Sequence, residues 1–334
     1  MGVQLPIARS LTCINDHTSG DEVVHHLNSA FLVESVQVWL RYTSSVSSQL
    51  PIRPTSPSSP TSLFSDSSHN HNSIRTTSTT VIMKVLLCGA TGFIGSEILE
   101  QLVVHNYIDR VYVLTRQPLA KKYFSGPKGH KVTEIIHANF EEYPDSLLHR
   151  LRDEGVEGCI WALGGKVESY KTLEEAQRVG IHYPMQAAEA CASKLATALT
   201  PSAMPKKKFP FRFVFISAWG AEQDQFRTLW MWSDSRKLKG AAEKGLFDIA
   251  EASEEVMGHR CFEVLSLRPG GVLKKSEAIG TLLWEATVPS VTVDRLARCA
   301  VKTVMEGSGD AKKKILENKD CMGDDWAMVN TLTL

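Results

Sequence analysis

Residues 81–101 read VIMKVLLCGATGFIGSEILEQ, and the reading of this stretch decides the fold. Val85, Leu86, Leu87 and Cys88 form a β-rich apolar run, and Ile94, Ile98, Leu99 and Leu102 then recur at helical spacing. Between them stand Gly89, Gly92 and Gly95, a G-x-x-G-x-x-G turn. Strand, glycine turn and helix in that order are the context in which such a triplet cradles a diphosphate. Gly89 lets the chain turn out of the strand. Gly92 lets a phosphate come close to the backbone, and Gly95 lets the helix pack tightly on the strand. The phosphates would meet the positive end of the helix and its unbonded N–H groups. Gly89, Thr91, Gly92, Phe93, Ile94 and Gly95 are therefore the expected cofactor-binding loop. The plainer alternative is a glycine-rich turn that holds no ligand.

Downstream, strand-like runs recur at 110–114, 132–137, 158–163, 211–216 and 261–267. Helical patterns fill 145–153, 173–199, 236–252 and 293–305, with a kink or break expected at Pro184. Strands alternating with helices predict an α/β fold, a doubly wound parallel sheet with right-handed crossovers and strand order 3-2-1-4-5-6.

Upstream, the text changes character. Residues 43–80 are mostly Ser, Thr, Pro, Asn and His, a composition that cannot bury enough apolar surface to offset its ordering entropy. The expected organisation is a disordered extension over 1–82, a nucleotide-binding domain over 83–310, and a small C-terminal tail, 311–334, packing on that domain. One amphipathic helix is expected within 23–42. The extension is Ser-rich like a mitochondrial transit peptide, but Asp16, Asp21, Glu22 and Glu34 oppose that reading, and a dispensable extension before Met83 is preferred.

The 334 residues carry 37 Lys+Arg and 37 Asp+Glu, a balance that gives no reason to expect nucleic acid or an anionic membrane as partner. Lys206-Lys207-Lys208 reads as a solvated loop. None of the seven cysteines has C-x-x-C spacing, which suits reduced thiols in the cytoplasm rather than a disulfide framework or a metal site. His69 and His71 fall in the polar extension, where solvated side chains are expected. No apolar run approaches the ~18 residues of a membrane helix.

The end of the second strand bears on which dinucleotide is expected. An acid there would hold the ribose hydroxyls of NAD. Thr115-Arg116 stands in its place, with Lys121 and Lys122 following, and a guanidinium suits a 2′-phosphate. NADP(H) is therefore expected ahead of NAD(H). Asn139 and Phe140 after the third strand, and Ala162, Leu163 and Gly164 after the fourth, are expected to line the cofactor, because ligands sit at the carboxyl edge of such sheets.

GATGFIG, the ALGG after the fourth strand, FISAWGA, LKGAAE and LRPGGVL occur in this order. The chain thereby resembles the atypical short-chain dehydrogenase/reductases, a Rossmann-fold family, over about residues 83–305, and in particular their Tat-interacting-protein-like branch. The resemblance implies a Ser-Tyr-Lys catalytic group, with the Tyr four residues before the Lys. Ser217 matches the Ser and Lys239 the Lys, and Ser235 stands where the Tyr belongs; Pro269 is implied beside the nicotinamide. A serine hydroxyl cannot replace a phenol in proton transfer. Tyr170, Tyr183 or Asp234 could supply the acid from elsewhere. Trp219, Trp230 and Trp232 form either an apolar wall for substrate or a small hydrophobic cluster. The expected function is an NADPH-dependent oxidoreductase acting on an unspecified small carbonyl compound. The alternative is a non-catalytic NADP(H)-binding sensor or scaffold; a sugar-nucleotide epimerase or dehydratase is a third option, disfavoured by the short tail. Nothing in the sequence specifies the oligomeric state.

Overall fold

β1 (Met83–Cys88) runs through the centre of the sheet, and Val85 to Cys88 are at most 3% exposed. The structure, a computed structural model, describes residues 82–199, 210–275 and 289–323. The expectations for residues 1–81 and for Lys206-Lys207-Lys208 lie outside the described residues.

The strands β2 (Ile108–Thr115), β3 (Val132–Ile136), β4 (Gly158–Trp161), β5 (Phe211–Ile216) and β6 (Phe262–Arg268) join β1 in the order β3-β2-β1-β4-β5-β6, every pair parallel. This is the expected doubly wound order. A seventh strand that periodicity did not announce, β9 (Ile315–Glu317), adds parallel to β6 through Ser266↔Ile315 and Arg268↔Glu317. Beside the sheet, β7 (Gly271–Leu273) and β8 (Ser290–Thr292) make a separate parallel pair.

Helices cover both faces, which is why the strands read as continuous apolar runs rather than alternating ones. Leu86 and Cys88 point to one layer, with α2 (Asp145–Asp153), α4 (Tyr183–Ala190) and α5 (Ser233–Met257). Val85 and Leu87 point to the other, with α1 (Phe93–Val104) and α6 (Val293–Glu306). One deeply buried charge pair lies within the sheet. Arg212 of β5 faces Glu263 of β6 in register, its Nε bonds Glu263 Oε2 at 3.0 Å, and its Nη1 caps the end of α6 at Met305 O, 2.7 Å. Every charge buried there thus has a partner.

Residues 173–199 form one helical run, opened by α3 (Leu173–Gln177) with Thr172 Oγ1 accepting from Glu175 N. Pro184 does not end it. A π-helical turn, Arg178–His182, precedes α4 and widens the ladder where proline lacks an N–H. A second π turn, Cys191–Leu195, and a tight turn, Ala196–Leu199, follow. α5 is longer than its apolar pattern predicts. It starts after Trp232, held in the left-handed region at φ 52°, and ends at Gly258, φ 68°. No described helix is long and apolar enough to cross a membrane, and the described residues hold no cluster of ligating side chains suited to a metal.

Candidate functional site

The carboxyl ends of β1, β2, β4, β5 and β6 meet at one edge of the sheet, where the expected site residues gather. At its centre, Gly89 leaves β1 at φ 90°. A Cβ there would come within 2.5 Å of the Ala162 and Leu163 backbone, so β4's exit can lie against the loop only because residue 89 is glycine. A Cβ at Gly95 would stand 2.0 Å from Gly89 O, which explains the close seat of α1. Gly92 differs. Its Cβ would meet nothing nearer than Gly89 O at 3.4 Å, so the fold itself tolerates a side chain there.

Gly92 is also the N-cap of α1. It offers no side-chain cap, and no acidic residue sits in the first turn. Thr91, Gly92 and Phe93 are exposed and Ile94 is half-buried. The positive end of α1 is therefore unmasked and open to solvent, an arrangement that suits an anion.

At the end of β2, Thr115 Oγ1 bonds Gln117 O at 2.7 Å and accepts from Gln117 N. This turn leaves Arg116 exposed, and it makes no ion pair among the described residues. Asn139 is exposed and closes its own turn, accepting from Glu141 N at 3.1 Å. Phe140 is a correction. Its ring turns inward and is fully buried against Trp161 and Tyr183, a core position rather than an open face for adenine. Apolar burial on that face of the sheet outweighs the exposure that its place after β3 suggested. Pro269 is likewise buried, with its carbonyl taken by Trp219 N at 2.7 Å, so it shapes the loop from within.

Ser217 and Lys239 do come together. Lys239 Nζ donates to Ile216 O at 3.0 Å, lies 4.8 Å from the centre of the Phe215 ring, and sits close to Gly164, where a Cβ would be 3.5 Å away. Burial pushes this ammonium down to about 8 against the pull of Glu243. Ser217 Oγ is buried and makes no hydrogen bond of ordinary geometry. Ser235 faces the loop after β4, its Oγ accepting from Val167 N at 3.4 Å. The phenol of Tyr170 stands near Gly165 and feels Glu175 and Arg116 after its own burial, which puts it toward the β2 end of the edge. Tyr183 packs on Phe140.

The residue that sequence reasoning missed is Glu243. It is fully buried and four positions after Lys239 on α5. Its Oε1 accepts from Arg268 Nε at 2.9 Å and Ser266 Oγ at 2.7 Å; its Oε2 accepts from Arg268 Nη2 and from Gln223 Nε2, the latter at 3.1 Å. Burial alone would raise this carboxyl, but Arg268, the neighbouring Ser217 hydroxyl and Ser266 together hold it below its ordinary value. Five of the six letters of LKGAAE have a visible task. Leu238 fills the space above Gly180, Lys239 faces the edge, Gly240 admits Glu222 O where a Cβ would be 1.8 Å away, Ala242 joins the core and Glu243 binds Arg268. In RPGG, Gly270 lies under Pro289 O and its N–H donates to Asn318 Oδ1 at 2.8 Å, while Asn318 Nδ2 donates to Ser290 O at 3.0 Å. The i, i+4 spacing of Lys239 and Glu243 was the available signal for one face of α5; the pairing with Arg268 left no trace in spacing.

Trp219, Phe226, Trp230 and Trp232 stand exposed in the loop between β5 and α5, Phe226 and Trp230 at 92% and 90%. They are not the packed cluster that was one of the two expectations.

No protein-family model matches this chain, and neither does any curated protein. Among solved structures, it is similar to a yeast methylglyoxal/isovaleraldehyde reductase, Gre2, complexed with NADPH. The identity is 15%, the TM-score 0.52, and the match covers 70% of this chain and 77% of that one. It is also similar to Gre2 of Candida albicans in complex with NADPH, at 16% identity and TM-score 0.50, over 70% of this chain and 78% of the other. At such identities the likeness is one of fold: this chain has the Rossmann fold of those reductases.

Proposed function

We propose that the chain binds NADP(H) along the carboxyl edge of its sheet and uses it to reduce a small carbonyl compound. The observation that carries this reading is the unmasked N-terminus of α1 above Gly92, a position open to a diphosphate although nothing in the fold itself requires glycine there. The residues present fit a dinucleotide. Thr91 to Ile94 would hold its diphosphate, Arg116 a 2′-phosphate, and Ala162 to Gly164 the floor beneath the nicotinamide ribose, with Lys239 beside it. The bound nicotinamide would supply hydride, and Ser217, at the exit of β5, would orient the carbonyl oxygen. Two of the solved structures it is similar to, the Gre2 reductases, are complexed with NADPH, which agrees with this choice of nucleotide. We further place the chain with the Tat-interacting-protein-like branch on its LKGAAE and RPGG segments, tied here by the Glu243–Arg268 pair.

The second reading, an NADP(H)-binding protein without turnover, is favoured by one observation: Ser235 rather than a tyrosine stands four residues before Lys239, and its Oγ accepts from Val167 N. Oxidation of NADPH by a panel of small aldehydes and ketones, run with the native chain and with Ser235→Tyr, separates the two. Turnover by the native chain supports the reductase. Turnover by Ser235→Tyr alone supports the binder.

A further inference from the structure

A carbonyl reduction needs one proton on oxygen, and the usual donor is missing here. Ser235 is engaged with Val167 N, and an aliphatic hydroxyl is far too weak an acid. The Tyr170 phenol stands near Gly165, but its burial and the Glu175 charge push it above the ordinary phenol value, making it a poorer acid still. Tyr143 and Tyr183 are packed in the core with His137 and Phe140. Asp234 is exposed on the first turn of α5. Among the described residues, the side-chain donors left to weigh at the Ser217 end of the edge are Ser217 itself and Lys239, which spends one N–H on Ile216 O.

We propose that the Lys239 ammonium, set between the Ile216 carbonyl and the Gly164 backbone, is the proton donor of the reduction, directly or through one water. The inference rests on the NADPH reductase reading above. In the step, hydride leaves C4 of NADPH with its electron pair and forms a C–H bond to the carbonyl carbon. The C=O π pair moves to oxygen, which takes a proton from Lys239 Nζ. The products are an alcohol, NADP⁺ and a neutral lysine, which regains its proton from water. NADPH is oxidised and the carbonyl reduced.

The surroundings make this lysine an unusual acid. β5 offers it the Phe215 ring and a carbonyl, and the exit of β4 offers Gly164; neither brings a charge. From its own helix the Glu243 carboxylate faces it one turn on, and Arg268 from β6 already occupies that carboxylate. Desolvation therefore dominates and brings the ammonium to about 8, close to the range in which a general acid is both protonated and willing to give its proton up.

The test is the pH dependence of turnover by the native chain under saturating NADPH, with methylglyoxal and isovaleraldehyde as probe carbonyls. Turnover should hold steady near neutrality and fall as pH rises through about 8, whereas an ordinary lysine would stay protonated to about 10. In Lys239→Arg, whose guanidinium keeps the charge but does not release a proton, turnover should drop by on the order of 100-fold. NADPH affinity, followed separately by fluorescence, should change only a few-fold. A rate that stays flat to about pH 10, near-native turnover by Lys239→Arg, or turnover appearing only with Ser235→Tyr overturns the assignment while leaving cofactor binding standing. Absence of turnover in NADPH-bound native chain overturns it equally. Failure of the native chain to bind NADPH at all overturns the reductase reading as well.

Discussion

Glu243 on α5 and Arg268 at the end of β6 form a bidentate salt bridge behind Ser217, with Glu243 shut off from solvent and Arg268 nearly so. Arg268 also reaches Glu317 of β9 at 3.3 Å, so the bridge ties α5, β6 and the last strand into one unit. Both ends of the pair lie in segments that the sequence resemblance marks, and the bridge gives those segments a physical reason to occur together.

Removing one partner of this pair should be far worse than removing both. Glu243→Gln leaves a guanidinium buried against an amide, a loss of about 3–5 kcal/mol. The double change Glu243→Gln with Arg268→Met should cost less than the sum of the two single changes, because no uncompensated charge remains. Urea denaturation of the four proteins in the cycle measures this; simple additivity would show that the bridge is not a coupled unit.

The glycines of the first turn should separate by stability. Gly95→Ala drives a methyl into Gly89 O, and the protein should fail to fold or lose several kcal/mol, in the range of about 1–3 or more for overpacking. Gly92→Ala meets open space and should stay within about 1 kcal/mol of native, the ordinary difference at an N-cap. Thermal denaturation of both variants checks the contrast. Equal losses would mean that Gly92 is also a packing residue.

Strand order was legible in the sequence because the main strands are short runs rich in apolar residues and most connections carry a helical period; only short 3₁₀ turns join β2 to β3. The additions were not. β7, β8 and β9 have three residues each, too few for a period to register, and pairing with neighbours creates them. The π turn before Pro184 reflects tertiary packing of Gly180 under Leu238, a contact 58 positions apart that no local pattern carries. Within the site, Ser217 and Lys239 came from the family resemblance, which implies a Ser after the fifth strand and a Lys on the next helix. Phe140 was misjudged because its position after β3 fixes where the residue sits but not which way its ring turns. Glu243 was missed because buried carboxylates are rare and its partner lies on another element.

Selectivity between the two nicotinamide nucleotides should reside at Arg116. Its exposed guanidinium can pair with a 2′-phosphate by charge-assisted bonds, each contributing about 1.5–3 kcal/mol. Arg116→Ala should weaken NADPH by roughly 10- to 100-fold on that basis and leave NADH nearly unchanged. Parallel titrations with both nucleotides give the answer; equal preference before and after the change would move the phosphate contact elsewhere.

Lys239 should leave a signature in stability as well. Its pKa is about 8 in the folded chain against 10.5 for an ordinary lysine. Between those values the unfolded state binds more protons, so the native chain gains stability, relative to Lys239→Met, as pH rises from about 8 toward about 10.5. Below that window the folded chain carries the full cost of a desolvated ammonium. Chemical denaturation of both proteins across the window reads the difference, and a difference independent of pH would mean that the amine is freely solvated.

The most direct measurement is calorimetric titration of NADPH into the native chain and into Gly92→Ala. The account predicts saturable binding to the native chain, and binding weakened at least about tenfold by a methyl that the fold accepts but an approaching phosphate does not. No saturable heat with the native chain, or the same affinity in both proteins, would contradict it.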